Sequence, residues 1–135
     1  MIPLNEIQPK AGVIAIVDDD EPLREALGSV LKAAGFPIST FASAEEFLES
    51  DQGSTGCLIL DVRLPGMSGI ELQRQLLDAR SRVPIVFVTA HGDASLRDLV
   101  MKAGASGFLN KPVRSDALLR EIRTALKENG TDKHA

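Results

Sequence analysis

The chain has 135 residues, 44% hydrophobic and 25% charged, which fits one globular domain and excludes disorder, collagen or coiled coil as a description of the whole. Nineteen acids against fifteen bases give a net charge of -4, a poor match for a surface that grips nucleic acid through clustered Lys and Arg. One cysteine excludes an internal disulfide and suits a reducing compartment.

Residues 1–11 read as a flexible leader before the domain begins at residue 12. Residues 13–17 (VIAIV) are a continuous apolar run, as expected for a strand covered on both faces. Leu23, Ala26, Leu27, Val30, Leu31 and Ala34 then form one helical stripe, with Gly35 as its stop. Residues 37–41 are a second, weaker strand, and Ser43 with Glu46 is the capping box of a second helix. The third strand spans residues 57–60, followed by a Pro65-Gly66 turn and a helix over residues 69–78. The fourth strand covers residues 85–88. Leu96, Leu99, Val100 and Ala103 stripe a fourth helix that ends at Gly104. A short fifth strand spans residues 107–109. Ser115 is expected to cap the last helix, with Asp116 in its first turn and Leu118, Leu119, Ile122 and Leu126 facing inward. The domain is expected to close at residue 128, leaving residues 129–135 as a polar tail. Strand and helix alternate five times, which predicts an α/β fold: a doubly wound, five-stranded parallel sheet with helices on both faces. No apolar run approaches the ~20 residues of a membrane span, and the first residues lack a signal-peptide pattern, so a cytoplasmic protein without membrane contact is expected.

Polar residues follow the strands. Asp18, Asp19 and Asp20 follow the first, Asp61 the third, Thr89 ends the fourth, and Lys111 follows the fifth. In an open parallel sheet, ligands bind beyond the carboxyl ends of the strands where the strand order reverses, and in the order 2-1-3-4-5 that point lies between strands one and three. The Asp triplet and Asp61 would then flank one crevice. Two like charges ~4 Å apart cost about 4 kcal/mol at an effective dielectric of 20, so the carboxylates need compensation. A hard divalent cation such as Mg²⁺, for which Mn²⁺ could substitute, supplies it through oxygen ligands. With Asp18, Asp19, Asp61 and Lys111 it balances to zero charge, poised for an anionic group.

Each residue also has a plainer reading. An acidic triplet before a helix serves as a solvated cap. Thr89 is a good strand former. Cys57 and Phe108 fit a core. His91, with no Cys or second His nearby, makes no metal site. The joint pattern of acids after strands one and three, hydroxyl after four and base after five is far more specific than its parts.

The stretches IVDDDEPLR, LILDVRLPGMSG, VFVTAHGD and GFLNKP, within about residues 13–126, resemble the receiver domain of response regulators, and LPGMSG and TAHGD are similar to its FixJ-like branch. The resemblance implies a flavodoxin-like fold with strand order 2-1-3-4-5. It implies Asp61 as phospho-acceptor, Asp18, Asp19 and Asp61 at the Mg²⁺ with the backbone carbonyl of Arg63, and Thr89 and Lys111 on the phosphoryl oxygens. Thr89 and Phe108 become the switch pair, and the Lys111-Pro112 bond is expected to be cis. The implied role is a phosphorelay signalling protein, not an enzyme, that takes a phosphoryl group from a sensor histidine kinase or phosphotransfer protein and assists its own dephosphorylation. The implied outcome is altered partner binding or a homodimer through the face of helix four, strand five and helix five, where Arg97, Asp98, Lys102 and Arg120 are candidate contacts. Two features depart from the family pattern: Asp20 is an additional acid, and Val113 stands where Phe is common. FixJ-like proteins continue into a DNA-binding segment and this sequence holds none, so no direct nucleic-acid contact is expected of it.

A haloacid-dehalogenase-like, Mg²⁺-dependent phosphatase also uses an Asp nucleophile, but it carries D-x-D-x-[TV] and a cap domain, where this chain has DDDEP and little spare length. A flavin carrier of the same architecture needs a hydroxyl-rich phosphate loop and ring-facing aromatics, and this chain has no Trp or Tyr. A receiver-shaped module that is never phosphorylated would not need the full set of polar residues.

Overall fold

The computed structural model describes residues 12–127. The expected leader, the tail over residues 129–135 and the edge at residue 128 lie outside the described residues. Five strands, β1 (Val13–Val17), β2 (Ile38–Phe41), β3 (Thr55–Leu60), β4 (Ile85–Thr89) and β5 (Gly107–Asn110), alternate with five α-helices: α1 (Glu21–Ala33), α2 (Ala44–Glu49), α3 (Gly69–Asp78), α4 (Ala94–Lys102) and α5 (Ser115–Leu126). A 3-10 turn, Gln52–Ser54, leads into β3. All pairings are parallel, in the order β2-β1-β3-β4-β5.

Side chains alternate across the sheet, so each strand feeds two cores. Ile14, Ile16, Cys57, Ile59, Val86 and Val88 pack with Leu27 and Leu31 of α1 and Leu118, Ile122 and Ala125 of α5. Ala15, Val17, Leu58, Leu60, Ile85 and Phe87 face the other way, onto Phe47 of α2, Leu72 and Leu76 of α3 and Val100 of α4. Burial on both faces explains why the central strands read as unbroken apolar runs rather than alternating ones. Among the described residues no helix is long and apolar enough to cross a membrane.

Three local expectations are corrected. Ser115 does not cap α5: the cap position is Arg114, without a side-chain cap hydrogen bond, and Ser115 is the first helical residue. Asp116 instead binds Arg114 side chain to side chain (3.1 Å) and accepts from the Ala117 N–H. Leu99 is 54% exposed, because α4 meets the sheet along a narrow line through Leu96 and Val100 and Leu99 lies a full 100° step away. Ala26 is likewise exposed at the margin of the α1 stripe.

Candidate functional site

Strand register alone assembles the polar end of the sheet. Val17 pairs with Leu60, so the next residues, Asp18 and Asp61, leave neighbouring strands side by side. Thr89 pairs with Asn110, which puts Lys111 one step beyond. The backbone continues the ladder past the strand ends: Asp61 N–H donates to the Val17 carbonyl (3.1 Å) and Lys111 N–H to the Thr89 carbonyl (2.9 Å).

Lys111 Nζ lies 3.0 Å from Asp18 Oδ2 and 3.0 Å from Asp61 Oδ2, bridging the two acids. Asp61 Oδ1 accepts from the Arg63 N–H at 3.2 Å, and Asp18 Oδ1 from the Asp20 N–H at 2.9 Å. Both carboxylates are buried. Burial pushes the Asp18 carboxyl above its ordinary value, against the pull of the Asp20 N–H and Lys111. Burial also works against the Lys111 ammonium, yet its hydrogen bonds to Asp61 and Asp18 outweigh that, and its pKa is raised.

Asp19 is exposed, and carboxylate oxygens of Asp18, Asp19 and Asp61 all come within 4.8 Å of one another. Three carboxylates against one lysine leave two negative charges in excess. The donors are all hard oxygens, and Asp19 has no other partner among the described residues. The residues present therefore fit a divalent cation of the Mg²⁺ type.

The structure brings Asp18, Asp19, Asp61 and Lys111 together, with Arg63 on the adjoining loop. Thr89 is buried at the end of β4. Phe108 packs half-buried against the core on the α4 side, so close to the β4–α4 loop that a Cβ on Gly92 would stand 2.6 Å from its ring. The Lys111-Pro112 bond is cis. Asp20 is set apart from the other acids: it is the N-cap of α1, its Oδ1 accepting from Leu23 N–H at 3.3 Å. Cys57 is a core residue whose thiol is pushed up to about 12 by burial, and His91 is exposed.

Three supporting residues escaped the sequence reading. A Cβ on Gly69 would overlap the Asp61 carbonyl oxygen, so only glycine lets α3 start this close to Asp61. Glu45 of α2 accepts from the Met67 N–H at 2.9 Å and ties down the loop after Asp61. Arg24 of α1 donates to the Asp18 carbonyl at 2.6 Å. Gly69 had a signal, a glycine at a helix start eight residues after the acid. The other two are long charged side chains, whose reach onto distant backbone no spacing reports.

Comparison with known proteins agrees with this geometry. Residues 14–123 match the model of the response regulator receiver domain. The response regulator protein TodT of Pseudomonas putida is 44% identical over 125 residues, 92% of this chain and 55% of TodT. The transcriptional regulatory protein FixJ of Bradyrhizobium diazoefficiens is 41% identical over 118 residues, 87% of this chain and 58% of FixJ. Among solved structures, the response regulator StyR superposes with a TM-score of 0.82 at 47% identity, covering 90% of this chain and 62% of that one. FixJ-N superposes with a TM-score of 0.78 at 38% identity, covering 86% and 94%. The chain thus spans little more than half the length of the curated relatives it matches. The chain belongs to the response-regulator receiver domains of two-component systems, in their FixJ-like branch.

Proposed function

We propose that the receiver unit over residues 12–128 accepts a phosphoryl group on Asp61 from a phosphohistidine of a sensor histidine kinase or phosphotransfer protein. The observation that carries this is the Asp61 carboxylate itself. It is buried at a strand end, bonded by the Arg63 N–H and Lys111, and crowded by Asp18 and Asp19. A carboxylate so placed is a competent nucleophile toward phosphorus. An O–P bond forms to Asp61, the P–N bond of the donor breaks, and the imidazole, protonated on its other nitrogen, leaves neutral.

Bound Mg²⁺ supplies charge neutralisation for the acids and the phosphoryl oxygens. Asp18, Asp19, Asp61 and the Arg63 carbonyl would hold it. Lys111 passes from the carboxylate to a phosphoryl oxygen as charge builds there. Thr89, whose hydroxyl has no hydrogen bond among the described residues, turns toward another. The same groups would assist water in removing the phosphoryl group, so the domain acts only on its own acyl phosphate. The added charge of about -1.5 to -2 pulls on Thr89 and frees space for Phe108, altering the α4–β5–α5 face. That face would carry the regulated contact with a partner or a second copy.

The test is incubation with a small acyl phosphate, with Mg²⁺ and with a chelator, followed by intact mass. Gain of one phosphoryl group only with the metal is expected. No gain, or a gain indifferent to metal, contradicts the reading.

A further inference from the structure

The peptide plane between Asp18 and Asp19 sets the direction of the Asp19 side chain, because a planar peptide carries the Asp18 carbonyl and the Asp19 nitrogen as one unit. That carbonyl accepts the 2.6 Å hydrogen bond from Arg24 Nη1. The flanking groups are fixed as well. Asp18 N–H donates to the Phe41 carbonyl at 3.2 Å, Asp18 Oδ1 accepts from Asp20 N–H, and Asp20 Oδ1 accepts from Leu23 N–H. Asp19 stands between two anchored residues with a carboxylate that no described residue engages. Of the three clustered acids, it alone is aimed by backbone only.

We infer that Arg24 is a positioning residue for the divalent cation: by holding the Asp18 carbonyl it aims Asp19 at the point shared with Asp18 and Asp61. The inference rests on the Mg²⁺ reading of the site given above. It sets two effects of opposite sign against each other. The guanidinium is a positive charge beside a cation site, so Coulomb's law alone makes its removal tighten Mg²⁺ binding. Loss of the clamp lets the peptide rotate, so Asp19 must be ordered at the moment of binding and affinity falls. Groups that orient metal ligands in this way are worth about 10–100-fold in affinity, and an exposed ligand such as Asp19 belongs at the lower end. A tie that merely fastens α1 to the end of β1 would lower thermal stability and leave Mg²⁺ affinity alone.

The experiment is calorimetric titration of Mg²⁺ into the metal-free full chain at fixed ionic strength. Wild type is compared with Arg24→Met, which keeps the apolar stem, Arg24→Lys, which keeps the charge and a donor, and Asp19→Asn. Circular dichroism checks that each is folded. A Kd about tenfold weaker in Arg24→Met, with Arg24→Lys between it and wild type, is expected. Unchanged or tighter binding in folded Arg24→Met overturns the inference. Arg24→Gln, too short to reach the carbonyl, is read by the same criteria should Arg24→Met not fold. If wild type takes no Mg²⁺, or Asp19→Asn binds it equally well, the reading of the site itself fails, a result distinct from failure of Arg24 alone.

Discussion

Asp18, Asp19 and Asp20 are chemically identical neighbours with three different surroundings. Asp18 is buried and paired to Lys111, Asp19 is exposed with no partner among the described residues, and Asp20 caps α1. The sequence marks all three as strand-end acids. It does not show which points where, because that is set by the backbone path of a three-residue turn and by Arg24. The raised pKa of Asp18 has a consequence for stability. A carboxyl whose folded pKa lies above its unfolded value favours folding when protonated, and loses that contribution as pH rises from the unfolded value through the folded one. At neutral pH the ionised Asp18 therefore costs stability in the metal-free protein. Asp18→Asn keeps the shape and, through Oδ1, the acceptor for Asp20 N–H, while its amide NH2 gives up the contact to Lys111, which keeps Asp61. Urea denaturation with a chelator present should find this variant more stable than wild type at pH 7.5, with the gain shrinking as pH falls and the wild-type carboxyl takes up its proton. A less stable variant at pH 7.5 would mean that the ion pair outweighs burial.

Helix ends show where local sequence signals suffice and where they do not. α1, α3 and α4 close with the same pair of hydrogen bonds, Phe36 N–H to Leu31 and Gly35 N–H to Lys32 in α1, with matching pairs in the other two. Gly35 and Gly104 take the left-handed position (φ +94 and +108), and both stops were legible as glycines. The third such position holds Arg80 at φ 62, so the end of α3 carries the geometry without its usual residue. Arg80→Gly should remove that strain and stabilise the domain by about 1 kcal/mol, a rise in Tm of roughly 3–4 °C by calorimetry. An unchanged or lower Tm would show that Arg80 makes a compensating contact. The start of α3 is the reverse case: Ser68 and Glu71 form a complete reciprocal capping box. At α2 the expected partner of Ser43, Glu46, reaches back to the Ala42 N–H instead of the Ser43 N–H. The α5 start was misplaced because a serine before an amphipathic run looks like a cap whether or not its own backbone has already turned helical.

At the scale of the whole molecule, two apolar cores sandwich the sheet and the clustered acids with Lys111 gather at its carboxyl edge. βα alternation made the parallel sheet and its carboxyl edge legible, whereas the strand order rested on the resemblance to receiver domains, because alternation alone leaves several orders open. What links the edge to a surface is β4 and β5. Thr89 ends β4 with its carbonyl bonded to Lys111 N–H, Phe108 packs beside the β4–α4 loop, and Arg97, Asp98, Lys102 and Arg120 are all exposed on α4 and α5. A coupling of only ~1–3 kcal/mol between phosphoryl and face suffices for a switch. Sedimentation with and without a phosphoryl mimic should show altered self-association or partner binding in wild type, and a weaker response in Thr89→Ala. Equal responses would remove Thr89 as the lever, and no response in wild type would remove the switch. All of this depends on Asp61 being the acceptor, so the most direct measurement compares wild type with Asp61→Asn. Each is treated with a small acyl phosphate and Mg²⁺ and weighed intact. Wild type should gain one phosphoryl group and Asp61→Asn none, whereas an Asp61→Asn protein that still gains one would contradict the account.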